Sequence, residues 1–244
     1  MKLDLNCDLG EGEPLRRTRA LMRWITSANV ACGGHAGDAA TMEACVRLAR
    51  QNGVWLGAHP GPWNRQTFGR HPIRISPDDL ELLLLQQVSA LEKIARAGGA
   101  RLHHIKLHGA LYHATDGNTA LAKRYLAAVK RWWPAAVVYA RAGGQVARHG
   151  RAGAVMVWEE GFVDRAYCDD GSLVPRNEPG ALLTGVRAIS ERVRRLLFKG
   201  EVLSSTGNRL RLAPRTVCLH SDTPKAVEFA RVTAGFLGLR TGGR

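Results

Sequence analysis

The sequence predicts an α/β fold and, within that class, a (β/α) TIM-like barrel of seven strands formed by residues 1–244 as a single domain. Three observations predict it. Short apolar segments alternate with helical patterns along the whole chain, the order expected of a parallel sheet wrapped by helices. Polar and ionisable residues recur where those segments end, and a barrel builds its sites at the C-terminal ends of its strands. A doubly wound dinucleotide fold would carry GxGxxG after the first strand, whereas Gly10-Glu11-Gly12 runs on into Glu13-Pro14-Leu15 without the third glycine.

The first strand is predicted around 3–7 and the second around 27–31. Asp38 then caps a helix from Ala39 to Gln51, which Gly53 stops. After a strand at 54–58, Ser76-Pro77-Asp78-Asp79 sets a capping serine, a proline at the first helical position and an acid three residues on. The Leu- and Ala-rich helix it opens ends at Gly98-Gly99. A strand at 103–107 follows, then a helix opened by Asn118 and ended by Pro134, and strands at 136–140 and 155–158. The stretch 159–215 is too long for a simple connection. It is read as a loop, a helix from Pro179-Gly180 to about Phe198, and a hairpin of Glu201–Ser204 and Arg209–Leu212 about Thr206-Gly207-Asn208. The last strand lies at 217–220, and Pro224 begins the final helix.

Composition narrows the function classes. No apolar run approaches the roughly 20 residues of a membrane span, and the N-terminus has no basic start with an apolar run behind it; a cytoplasmic protein is expected. The five cysteines form no close pair, which argues for reduced thiols used in packing. The net charge of +14 admits nucleic-acid binding. However, the arginines are spread over many helices, and the clusters Arg16-Arg17-Arg19 and Arg192-Arg194-Arg195 have no interleaved aromatics. They read as solvated faces with some attraction for anionic substrates, with neither a nucleic acid nor a membrane as partner.

Strand periodicity then places chemistry. In Leu3-Asp4-Leu5-Asn6-Cys7-Asp8, alternation sends Asp4, Asn6 and Asp8 to one face and Cys7 to the other. In His103 to His108, it groups His104, Lys106 and His108. Burying such groups without partners would cost several kcal/mol each, so the face is expected to line a wet, working cavity, and the chain reads as an enzyme. The loop Asp8-Leu9-Gly10-Glu11-Gly12-Glu13 is either a general base or metal-ligand set, or an acidic turn capping the next helix; the second explains Glu11 and Glu13 but not Asp8. His35 follows a Gly-rich turn after the second strand, His59 ends the third, His108 lies beyond the fourth, and His220 ends the last. Four histidines at separate strand ends outweigh the usual structural role of a lone one. Asp222 or Thr223 is expected either to serve the site or to cap the last helix.

Asp4 to Gly12, Asn29 to Asp38, Gly57-Ala58-His59-Pro60, Phe68-Gly69-Arg70, Lys106 to Tyr112, Asp164-Arg165-Ala166-Tyr167, Asp170 to Arg176 and His220-Ser221-Asp222-Thr223-Pro224 together resemble the LamB/YcsF family. The motifs occur in order over nearly the whole chain. The resemblance implies a barrel akin to the glycoside hydrolase and polysaccharide deacetylase barrels. It also implies ATP-dependent opening of 5-oxo-L-proline to L-glutamate, with ATP as co-substrate and 5-oxoprolinase subunits B and C as partners; self-association is left open. On this reading Asp8 is the general base, tuned towards neutral pH by burial, and Glu11, His59, Lys106 and His108 complete the catalytic set. Asn6, Asn29, His35, Arg70, Asp164, Arg165, Tyr167, Arg176, His220 and Asp222 bind substrate. The alternative is a metal-dependent amide hydrolase in which Asp8, His59 and His108 hold a divalent ion. The chain departs from the family pattern at Glu13-Pro14, Gly34, Gly61-Pro62-Trp63 and Ser221.

Overall fold

The computed structural model describes residues 3–153 and 155–239. Seven parallel strands close into a barrel in the order β1 (Asp4–Leu9), β2 (Ser27–Ala31), β3 (Trp55–His59), β4 (Leu102–Lys106), β5 (Val137–Arg141), β6 (Val157–Phe162) and β9 (Thr216–His220), with β9 pairing to both β6 and β1. The helices α1 (Leu15–Met22), α2 (Ala39–Asn52), α3 (Pro77–Ala97), α4 (Gly109–Gly117), α5 (Thr119–Trp132), α6 (Gln145–Ala152), α7 (Val186–Lys199) and α8 (Ala226–Phe236) belong to the intervening and final segments. Strands β7 (Glu201–Leu203) and β8 (Arg209–Arg211) form the expected antiparallel hairpin. None of the helices described is long and apolar enough to cross a membrane.

Each predicted strand is present, and the signals read for the helix ends act as expected. The Asp38 side chain accepts from the Thr41 amide, Ser76 from Asp79, and Asn118 from Ala120 and Leu121. Three expectations need correction. The helix in the long insertion starts at Val186 rather than at Pro179-Gly180, because Gly180 takes a φ of +78° and Leu182 is drawn into a β-bridge with Arg165. Strand β6 runs on to Phe162, four residues past the predicted end. Neither Asp222 nor Thr223 caps α8, whose N-cap Lys225 makes no side-chain cap.

Alternation sorts the barrel. Leu5, Cys7 and Leu9 of β1, and Val217 and Leu219 of β9, face the helical layer and join the main hydrophobic core. The inward residues stack in levels. At the lower end, Tyr139 stacks on Trp158 and on His104, and Trp55 stacks on His103, closing the bottom with aromatic rings. Asp4 accepts there from Ser27, Tyr139 and Thr216. At the upper end, parallel register places Asp8 beside Asn29 on one side and His220 on the other.

Candidate active site

The site grows from the middle of the barrel upward. Lys106 on β4 is buried, and its Nζ lies 2.8 Å from Asp8 Oδ1, 3.2 Å from Glu160 Oε1 and 3.0 Å from Cys218 Sγ. Burial alone would pull the Lys106 amine down, but the carboxylates around it more than reverse this and hold it well above the usual lysine range. Asp8 mirrors it: burial pushes its carboxyl up, and the charges of His59 and Lys106 override that and hold it well below the usual carboxylate range. The expectation that burial tunes Asp8 towards neutral pH is therefore corrected. Asp8 is a fixed anion, and a fixed anion is a weak base.

Asn29 donates to Asn6 Oδ1 and Asp8 Oδ1, both at 2.7 Å, and lies 2.6 Å from His104 Nε2. Asn6 donates to Glu160 and Thr216. These two asparagines lie beneath the site and fix its acids rather than facing the cavity. Glu160, fully buried, also accepts from the Tyr112 hydroxyl at 2.9 Å. Glu160, Tyr112 and Cys218 are missing from the residues predicted by sequence. Strand periodicity continued from Trp158 through Glu160 to Phe162 would have found the first of them.

Above Asp8, Glu11 Oε1 collects three imidazoles: His35 Nε2 at 2.9 Å, His108 Nδ1 at 3.0 Å and His59 Nε2 at 3.5 Å. His35 lies flat on His108, with ring centroids 3.5 Å apart. Burial holds the His35 imidazole down at about 3, so it is neutral. Glu13, a departure from the family pattern, ties the acidic turn by accepting from the Gly10 and Glu11 amides and from Thr18. Ligand atoms of Glu11, His35, His59 and His108 lie within 4.8 Å of one another, as do those of Asp8, Cys218 and His220.

On the opposite wall, Asp164 and His220 form a pair that sequence reading named separately but did not join. Asp164 Oδ1 accepts from His220 Nδ1 at 3.0 Å, while Oδ2 accepts from the His220 amide and from Thr223. Burial raises the Asp164 carboxyl, but His220 and these donors bring it down to about 2. The His220 Nε2 left over faces Asp8 Oδ2 at 3.8 Å.

These groups open into a cavity of about 1060 Å³, lined among others by Asp8, His59, Lys106, His108, Arg165 and His220. Arg70 and Arg176 also line it, and both bind the carboxylate of Asp222 at its mouth. Arg165 is buried; its Nη2 donates to the Val174 carbonyl at 2.6 Å, and its Nε has no hydrogen-bond partner among the described residues. Tyr167 lies elsewhere: its hydroxyl accepts from the Phe162 amide and its ring packs under Arg192, which makes it a support of the long insertion.

The glycines at the other departures pack against each other. A Cβ on Gly34 would collide with the Gly61 carbonyl, and one on Gly61 would collide with His35 Nδ1. Gln87 clamps Gly61 through both its amide and its carbonyl. Gly61→Ala should therefore drive His35 off Glu11 and lower the unfolding free energy by about 1–3 kcal/mol, the range for overpacking. Denaturant titration against the wild type checks this, and unchanged stability would show that the loop yields freely.

Residues 3–238 match the LamB/YcsF profile. The chain belongs to the LamB/YcsF family. Among its relatives, a protein of Rhodopseudomonas palustris named as the A subunit of 5-oxoprolinase is 43% identical over 235 residues, covering 95% of this chain and 92% of the relative. A protein of the same name from Nitrobacter hamburgensis gives the same figures. The crystal structure of the lactam utilization protein from Thermus thermophilus superposes with a TM-score of 0.88 at 33% identity, covering 99% of this chain and 100% of that one. Ser221, one of the departures from the family pattern, has its hydroxyl buried without a hydrogen-bond partner among the described residues.

Proposed function

We propose that this LamB/YcsF protein is the lactam-opening subunit of an ATP-dependent 5-oxoprolinase, cleaving 5-oxo-L-proline to L-glutamate in complex with subunits B and C. The names of its relatives support the substrate class. The observation that carries the chemistry is the meeting of an anion-seeking guanidinium, Arg165, with the Asp164–His220 pair and the Asp8–Lys106 pair around one cavity. A small lactam with one carboxylate needs a buried cation to hold it and a proton carrier beside its amide. Arg165 is the proposed carboxylate anchor, and Arg70 and Arg176, steadied by Asp222, face the phosphoryl group.

A lactam is a poor electrophile, and phosphorylating its oxygen with ATP makes the ring carbon open to water. Once water has added, that carbon carries two leaving groups, phosphate and the ring nitrogen. Losing phosphate first would only return the lactam and waste the ATP. The nitrogen must leave first, taking the C–N electron pair and a proton; a second water then releases phosphate from the resulting acyl phosphate. His220 is the proposed carrier: Asp164 fixes its tautomer with Nδ1 protonated, so Nε2 can take the proton of the attacking water and return it to the nitrogen. Asp8, 3.8 Å away, steadies the imidazolium so formed. The base is thus proposed as His220 rather than Asp8.

No GxxxxGK[ST] motif occurs in the sequence, so ATP handling is assigned to the partner subunits. The isolated chain should form no glutamate from 5-oxoproline, and mixing it with subunits B and C and ATP should restore turnover. Full ATP-independent activity of the isolated chain would overturn this reading.

A further inference from the structure

We propose that Glu11 Oε1, His59 Nε2 and His108 Nδ1 form the binding site of one divalent transition-metal ion of the Zn²⁺ class, with Asp8 Oδ2 at its rim. The evidence lies on the far side of each ring. His59 Nδ1 stands 2.8 Å from the Lys106 carbonyl, and His108 Nε2 stands 2.9 Å from the Phe68 carbonyl. A carbonyl can only accept, so each outer nitrogen carries a hydrogen, and whenever the ring holds no second proton its inner nitrogen turns a lone pair inward. The two inner nitrogens are 3.0 Å apart, and Glu11 Oε1 lies 3.0 Å from one and 3.5 Å from the other. Three acceptors facing one another need a cation between them. A proton satisfies one pair at a time, whereas a metal ion satisfies all three.

The spacing fits a metal. With Zn²⁺ bonds to nitrogen and oxygen of about 2.0–2.1 Å, ligand atoms on a regular tetrahedron are about 3.3–3.4 Å apart. The three edges of 3.0, 3.0 and 3.5 Å bracket that value, and Asp8 Oδ2 lies 3.3 Å from His59 Nε2. The surroundings resemble the outer shell of a metal site, where each ligating histidine donates its other N–H to an oxygen. Phe68 adopts a φ of +55°, a conformation an L side chain rarely holds, and so its carbonyl reaches His108.

His35 belongs to the outer shell. If its Nε2 ligated the ion, its buried Nδ1 would carry a hydrogen with no acceptor, so Nε2 instead donates to Glu11. The set holds only nitrogen and oxygen, which suits Zn²⁺ and neighbouring first-row ions. The Asp8, Cys218 and His220 group is the weaker candidate, because Lys106 already occupies Asp8 Oδ1 and Cys218 Sγ. An ion bound at Glu11 would supply a Lewis acid at the cavity floor.

The test uses the full chain, stripped with a chelator and titrated with Zn²⁺ alone against a chromophoric competitor. One equivalent should bind and raise the melting temperature. Glu11→Gln and His108→Asn should each weaken binding by about 100-fold or more, beyond the 10–100-fold typical of outer-shell changes. Co²⁺ in the wild-type chain, which needs no variant to fold, should give the visible bands of a four- or five-coordinate nitrogen–oxygen site without a thiolate charge-transfer band. A wild type that takes up no Zn²⁺, variants that keep full affinity, or an octahedral or thiolate Co²⁺ spectrum would each overturn the site and leave a shared proton as the bridging cation.

Discussion

Lys106→Met should lower glutamate formation by the reconstituted complex by about 10³-fold and reduce the unfolding free energy of the chain by about 3–5 kcal/mol. Methionine matches the length of the lysine stem and removes the ammonium, with its charge and its three hydrogen-bond donors. Asp8 and Glu160 would then face each other's field across a dry space, at positions that now lie 2.8 and 3.2 Å from the ammonium. Removing one member of a buried ion pair is costly because the partner stays charged and unsolvated. A double variant, Lys106→Met with Asp8→Asn, should recover part of the stability and none of the turnover. If Lys106→Met unfolds at the wild-type denaturant concentration, the ammonium does not hold these acids together.

The Asp8–Lys106 pair is one of three buried carboxylate sites that shape the response to acid. Asp8, Glu11 and Asp164 all have folded-state carboxyls below their ordinary range: burial raises each, and the charges of His59 and Lys106, of His108, and of His220 respectively reverse it. A carboxyl depressed on folding contributes stability that is present above its unfolded pKa of about 4 and is lost as pH falls through the folded value. The carboxyl share of stability should therefore hold at mildly acidic pH and fall below about pH 4. Buried neutral imidazoles such as His35, held down at about 3, add a loss that starts as pH drops below the unfolded histidine value of about 6.5. Without Lys106, the Asp8 share of that fall should shrink.

Much of the barrel was legible because strand alternation is local. Leu3 to Asp8 shows which face of β1 is polar, and Ser76-Pro77 shows where α3 begins, without knowledge of any neighbour. What was not legible depends on closure. The adjacency of β6 and β9 brings Asp164 to His220 across 56 residues, and no spacing within either motif signals it. Asp8 meets Lys106 across 98 residues, and that encounter reverses the direction in which burial alone would move its carboxyl. Glu160 was missed for a local reason: Glu159-Glu160 reads as the start of a loop, although β6 continues through it. Tyr167 was assigned to the substrate because it stands within a polar motif, but it turns inward to the Phe162 amide.

The claim that the upper rim of this barrel is where the lactam opens is tested most directly by Asp8→Asn in the complex with subunits B and C, followed by glutamate formed from 5-oxoproline and ATP. Asparagine keeps the shape and an oxygen for Asn29 and Lys106 while removing the anion that faces His59 and His220. The chain should still fold, with stability lowered by the loss of the anion and supported by Glu160, which still pairs with Lys106. Glutamate formation should fall by about 10²-fold or more with assembly of the complex unchanged. Glutamate formed at near the wild-type rate would place the chemistry elsewhere and contradict the account.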